Sequence, residues 1–186
     1  MIFEAIDCIR QQLSPAIVNA VAGNISEILT EGGNNPINDA DVIISLVNIE
    51  ENRISRDPRN YVHSGNTILM KNPAIHLNLS ILFTALRSEA AYGLALQNLQ
   101  RVIQFFQTRY VFDHNNTPAL DPGIEKLILE MVTLNMEQLN HLWGILGSRY
   151  QPSVLYCMRM VTIDSITEQQ SGIITEVQTS FQLKNT

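Results

Sequence analysis

The sequence predicts an α+β fold. The expected architecture is a mostly antiparallel four-stranded sheet with three helices packed on one face, in the order α-β-β-α-β-α-β, and a strand-like C-terminal arm. Three observations carry this. Residues 74–84 (AIHLNLSILFT) alternate apolar and polar with period two, the mark of a strand with one buried face. Residues 88–109 switch to helical spacing, with Ala91, Ala95, Leu99, Val102 and Phe106 forming a stripe flanked by Leu96 and Ile103. Strands outnumber crossovers and two β-rich runs follow one another early, so neighbouring strands pair antiparallel.

The elements follow in order. Ile2, Ile6, Ile9, Leu13, Ile17 and Val21 recur at steps of three and four, which predicts an amphipathic helix over 2–22. Pro15 removes a backbone donor inside that run and should kink or split the helix. Gly23 and then Gly32-Gly33-Asn34-Asn35-Pro36 mark a turn-rich connection. Residues 41–50 (DVIISLVNIE) are β-branched and apolar and read as the first strand. A polar stretch from Asn52 to Asn72 reads as a long loop, and such loops inside compact domains are usually functional or disordered. It carries Arg53, Arg56, Arg59 and Lys71 against a single acid, Asp57.

The period-two strand comes next, then the helix over 88–109. Residues 113–123 (DHNNTPALDPG) form a loop, and 124–134 (IEKLILEMVTL) a third strand. Asn135 followed by Gln138 has the spacing of a capping box, which opens a helix. That helix turns Leu139, Leu142, Trp143 and Leu146 inward and stops at Gly147. Residues 153–163 (SVLYCMRMVTI) form the fourth strand. The expected core joins Leu77, Leu79 and Ile81 of the alternating strand to Phe106, Leu139 and Trp143 of the helices. The chain then divides into a domain over 1–164 and an arm over 165–186. Gln169-Gln170-Ser171-Gly172 reads as a hinge, and Ile173–Leu183 as an added strand in which Ile173, Val177 and Phe181 reach a neighbouring subunit.

Composition limits function. A chain of 186 residues can bury roughly 70% of its unfolded surface and needs no disulfide or metal to hold a core. Lys and Arg number 12 and Asp and Glu 18, for a formal charge of −6. A nucleic-acid binder needs a basic footprint, and none is visible. Charged residues make up 16% of the chain, against an ordinary share of about 25%. Seventeen Asn and twelve Gln take their place. Neutral amides hydrogen-bond readily, which suits a surface partly covered by neighbours.

Cys8 and Cys157 read as two reduced thiols of a reducing compartment. Glu4, Asp7 and Arg10 interrupt what would be the apolar core of a signal peptide, and no stretch approaches the roughly 18 apolar residues of a membrane helix. The expectation is a protein made and folded in the cytoplasm, without direct membrane binding.

No catalytic constellation emerges. His63, His76, His114 and His141 lack the spacing of a helical zinc site, and no Cys lies near them. Asp113-His114 reads as turn chemistry. Glu50 and Glu51 are adjacent in a strand and point to opposite faces, so they do not converge. The expectation is therefore no enzyme, no metal and no cofactor. The one repeated polar feature is Arg53-Arg56-Arg59, which reads either as ordinary solvated charge or as a protruding loop that docks on a neighbouring subunit.

Several segments, in order, resemble the N-terminal domain of tail-terminator (cap) proteins of extracellular contractile injection systems, of the antifeeding-prophage and Photorhabdus virulence cassette type. They are LVNIEENR (46–53), NPAIHLNLSILFTA (72–85), YGLALQNLQRVIQFFQ (92–107) and LNMEQLNHLWGILGSRYQPSVLYCMRMVTID (134–164). The last is the most specific, with Asn-His-Leu-Trp in a helix and Tyr-x-Pro-Ser-Val-Leu-Tyr opening a strand. The resemblance covers roughly residues 1–165. It implies a structural, bacterial protein that forms a hexameric ring, ends the inner tube and anchors the last sheath ring of a phage-tail-like particle. Its partners would be the tube and sheath proteins and further copies of itself. The alternatives are a tube or baseplate subunit of the same particle, or a small ligand-binding domain or enzyme.

Overall fold

The structure, a computed structural model, describes residues 1–30, 40–52, 61–64, 67–71, 76–85, 92–147, 150–162 and 166–171. Among these residues it contains four helices and nine strands. In chain order they are α1 (Ile2–Leu13), β1 (Ala20–Ala22), α2 (Ile25–Thr30), β2 (Val42–Glu51), β3 (Tyr61–Ser64), β4 (Thr67–Lys71), β5 (Leu77–Thr84), α3 (Tyr92–Thr108), β6 (Val111–Asp113), β7 (Ile124–Val132), α4 (Met136–Ile145), β8 (Ser153–Thr162) and β9 (Ile166–Ser171). The class is α+β. The main sheet has six strands in the order β1-β2-β5-β8-β7-β6, and a second sheet has three, β3-β4-β9. All pairings are antiparallel except β1 with β2. The expected four-stranded sheet is therefore its centre, β2-β5-β8-β7, widened by a short strand at each edge.

Five local differences have physical causes. The first helix ends at Leu13. Pro15 cannot continue the i→i−4 ladder, and Ser14, Ala16 and Ile17 close a tight turn back onto Arg10, Gln11 and Leu13. Val21, expected on that helix, lies in β1, where it faces Ile43 of β2. The polar stretch 52–72 is no plain loop, because Tyr61–Ser64 and Thr67–Lys71 pair as a hairpin. The residues read as a hinge, 169–171, are the end of β9, which pairs with β4. Asp113, placed in a loop, closes the short edge strand β6 opposite Lys126.

Helices cover both faces of the main sheet, which corrects the expected one-sided packing. On the first face, Leu79, Ile81 and Phe83 of β5 join Met158 and Tyr156 of β8 and Leu127 and Leu129 of β7. α1 brings Ala5, Cys8, Ile9 and Leu13 to them, and α3 brings Val102 and Phe106. Phe83, Phe106 and Tyr156 form an aromatic triangle with centroids 4.9–5.5 Å apart, in the tilted and edge-on arrangements that aromatic pairs favour. On the second face, Ile43 and Leu82 meet Ile25 of α2 and Trp143 of α4, with Leu139, Leu142 and Leu146 packed alongside. Of the expected core, Leu79, Ile81, Phe106 and Trp143 are fully buried, and Leu77 and Leu139 partly so. Trp143 lies across the sheet from Leu79 and Ile81, not beside them.

α4 starts as the sequence predicts. The Asn135 side chain accepts from the Gln138 N–H (2.8 Å), and the Gln138 side chain accepts from the Asn135 N–H (3.0 Å). Two orphan donors of the first turn are thus satisfied. Gly147 follows the helix at φ 66°, a left-handed conformation that a Cβ would disfavour. None of the described helices is long and apolar enough to cross a membrane.

Candidate assembly surface

The residues with chemical potential do not converge. Asp113 Oδ1 accepts from the N–H groups of Asn115 and Asn116 (3.0 Å each), so it holds a turn. His114 donates Nε2–H to the Ile124 carbonyl (2.9 Å). Glu50 accepts from the Asn48 side chain (2.8 Å) on an exposed strand end, and His141 is exposed on α4. Burial raises the thiol pKa of both Cys8 and Cys157, which keeps them protonated and unreactive. Among the described residues, no group of three or more His, Cys, Asp or Glu could hold a metal.

What stands out instead is an apolar surface around α4. The helix turns Leu139, Leu142 and Trp143 to the sheet because they share one face at steps of three and four. That leaves Met136 82% and Ile145 85% exposed at its two ends. Tyr150 stacks edge-on against Trp143 (5.9 Å between centroids) and is itself 59% exposed. Two shallow grooves meet at Leu139 and Tyr150. One, of about 240 Å³, runs between α4 and the ends of β7 and β8 and is lined by Leu82, Met131, Val132, Leu134, Leu139 and Tyr150. The other, of about 310 Å³, lies over α4 and is lined by Met136, Leu139, Asn140, Trp143, Gly144 and Tyr150. Among the described residues, no charged side chain lines either groove. Among the described residues, Trp143 Nε1 and Thr84 Oγ1 lie buried on this side without a hydrogen-bond partner.

The residues that the sequence singled out for subunit contacts are elsewhere. Arg53, Arg56, Arg59, Ile173, Val177 and Phe181 lie outside the described residues, and Lys71 closes β4 opposite Ile166. Sequence reasoning missed the hairpin β3–β4. A signal for it exists: Gly65-Asn66 stands between two β-rich tetrapeptides, the spacing of a two-residue hairpin. It missed the α4 surface too, because Met131, Met136, Ile145 and Tyr150 form no pattern until the strand ends and the helix are brought together.

The comparisons with known proteins agree with each other. A family model described as the Pvc16 N-terminal domain matches residues 5–176. The fold is similar to the sheath/tube terminator of the PVC extracellular contractile injection system in its extended state, solved by cryo-EM. That similarity has a TM-score of 0.65 and 14% identity over 100% of this chain and 64% of that one. It is also similar to the cap of the anti-feeding prophage, a tube-terminating cap, with a TM-score of 0.59 and 15% identity over 94% of this chain and 59% of that one. The chain thus spans about three-fifths of the length of these structures. No curated protein sequence matches it.

Proposed function

The chain belongs to the Pvc16 N-terminal domain family, and from that membership we propose that it is the structural cap, or tail terminator, of a phage-tail-like contractile injection system. The observation that carries this reading is the family match over residues 5–176, joined to a fold shared along the whole chain with a sheath/tube terminator. The role is structural, not enzymatic. The protein ends the inner tube and holds the last ring of the sheath, and tube protein, sheath protein and further copies of itself are its partners. A hexameric ring suits that place. Such a ring needs two different patches per subunit, and the uncharged α4 surface supplies one. The basic run Arg53, Arg56, Arg59 and Lys71 supplies a second contact, toward a neighbouring subunit or the tube. Assembly takes place in the bacterial cytoplasm, and the protein stays a component of the finished particle.

The test is deletion and electron microscopy. Particles from a strain lacking the protein should be few or of abnormal length, and the gene supplied in trans should restore them. Normal particles of normal length in the deletion strain would sink the cap reading. Replacing Arg53, Arg56 and Arg59 together by Ala should impair assembly while leaving the melting temperature almost unchanged, since exposed charges contribute little to folding.

A further inference from the structure

The outer edge of β7 is open where it borders the apolar groove. Leu129 directs its N–H away from β8, to the Tyr110 carbonyl at 2.8 Å. Backbone direction alternates along an antiparallel strand, so Met131, two residues on, also points its N–H and C=O outward. β6 stops at Val111, opposite Ile128, and does not reach that far. Met131 has no backbone partner on that side among the described residues. Its side chain is 56% exposed, and the residue lies along the groove of about 240 Å³ with Leu134 and Tyr150. Unpaired main chain beside apolar, uncharged pockets is a receptor for an extended segment, which gains ladder hydrogen bonds while alternate side chains fill the pockets.

We propose that this edge and groove receive residues 173–183 of a second copy of the chain as an added strand. The sequence of that segment fits. Ile173, Thr175, Val177, Thr179, Phe181 and Leu183 stand at alternate positions and all favour strands. Ile174, Glu176, Gln178, Ser180 and Gln182 fall between them, so from Thr175 onward the intervening face is polar. Its one charge, Glu176, sits on the polar face, and no charge in the groove has to be desolvated. The topology favours a second copy over the same chain. The groove lies where Thr84 faces Ser153 and Val132 faces Leu155. The end of β2 that precedes β3, the start of β5 that follows β4 and the end of β8 that precedes β9 lie at the other end of the main sheet, where Glu51 faces Leu77 and Leu77 faces Met160. β5 alone separates those ends by about 27 Å. β9, which precedes the tail in sequence, begins four residues after β8 closes at that remote end.

The proposal does not depend on the cap reading, because it is tested on the purified full chain. Met131→Cys protein is mixed with full-length protein carrying Thr175→Cys, Val177→Cys or Thr179→Cys in turn, to scan register. The mixture is oxidised mildly and resolved on non-reducing gels. Cys8 and Cys157, with thiols held protonated by burial, give little background. The expected result is a mixed disulfide dimer for at least one tail position. A further Phe181→Asp in the tail chain should lower its yield about tenfold or more, since an apolar side chain then fails to leave water. Two outcomes overturn the proposal: no mixed dimer at any tail position in concentrated protein, or cross-linking only within single chains that carry both cysteines. A positive cross-link together with normal particles in the deletion strain would keep the strand exchange and reject the cap.

Discussion

On one face of the main sheet, α1 and α3 close over twenty buried apolar residues in a single cluster. On the other, α2 and α4 cover five, and the orphaned Trp143 Nε1 and Thr84 Oγ1 lie among them. The first face is filled by an aromatic triangle, and the helices over it leave Phe3 of α1 and Tyr92, Leu94 and Leu96 of α3 exposed on their outer sides. The second ends in grooves bordered by Met131, Met136 and Tyr150, with Ile145 exposed near the end of α4. A domain needs one well-packed core to fold. The contrast teaches that one face carries that burden while the other keeps apolar surface for an additional chain. Exposed apolar patches rimmed by polar residues mark interaction sites in proteins of this size.

The strongest way to break this comparison is to mutate neighbours on opposite faces of β5. Phe83→Ala should cost about 3–5 kcal/mol in urea unfolding, because the ring is fully buried between Phe106 and Tyr156. Leu82→Ala, one residue away and facing α4, should fall near about 2 kcal/mol, the lower end for a buried leucine, because the groove beside it lets the site relax. Equal costs would mean that the two faces are packed alike.

A smaller effect separates α4's own stability from its packing. Asn135→Ala removes the capping-box acceptor and should cost about 1 kcal/mol. Restoration by Asn135→Ser or Asn135→Asp in the same assay would assign the loss to the cap.

Trp143→Phe sharpens the point about unsatisfied groups. It removes a buried N–H that has no partner and leaves a small cavity, so the two effects oppose each other and the net change should stay under about 1 kcal/mol. A larger loss in thermal or chemical unfolding would mean that the indole N–H has a partner in solution.

The smallest effect on folding belongs to the rim. Met136→Ser and Ile145→Ser should each leave stability within about 0.5 kcal/mol, since both side chains are largely in water. Sedimentation of the concentrated protein should nevertheless show less self-association in the double variant. A drop in melting temperature of several degrees would place these residues in the core instead.

Much of the fold was legible in the sequence, and the legible parts share a property. β5 was visible because strict alternation exposes one face and buries the other. α3 was visible because Ala95, Leu99, Val102 and Phe106 keep one stripe over three turns. The start of α4 was visible because a capping box is a local device. The parts that were not legible depend on distant partners. Val21 fits a helical step from Ile17 and equally fits a strand once Ile43 stands beside it. β9, Ile166–Ser171, has a polar composition that local propensity assigns to no strand, and β4 makes it one.

The sequence by itself determined the class, the four central strands, the two long helices and the buried identities of Leu79, Ile81, Phe106 and Trp143. Its resemblance in 134–164 pointed to the family that the match over 5–176 established. Only the tertiary structure decided that Trp143 and Leu79 occupy opposite faces, that the basic stretch contains a hairpin tied to β9, and that Met131, Leu134, Leu139 and Tyr150 meet in a groove beside an open strand edge. The physical reason is the range of the interactions. Periodicity and capping act within a few residues and leave a mark in the sequence. Sheet order, the face a helix covers and the grooves left between elements come from contacts between residues far apart in the chain.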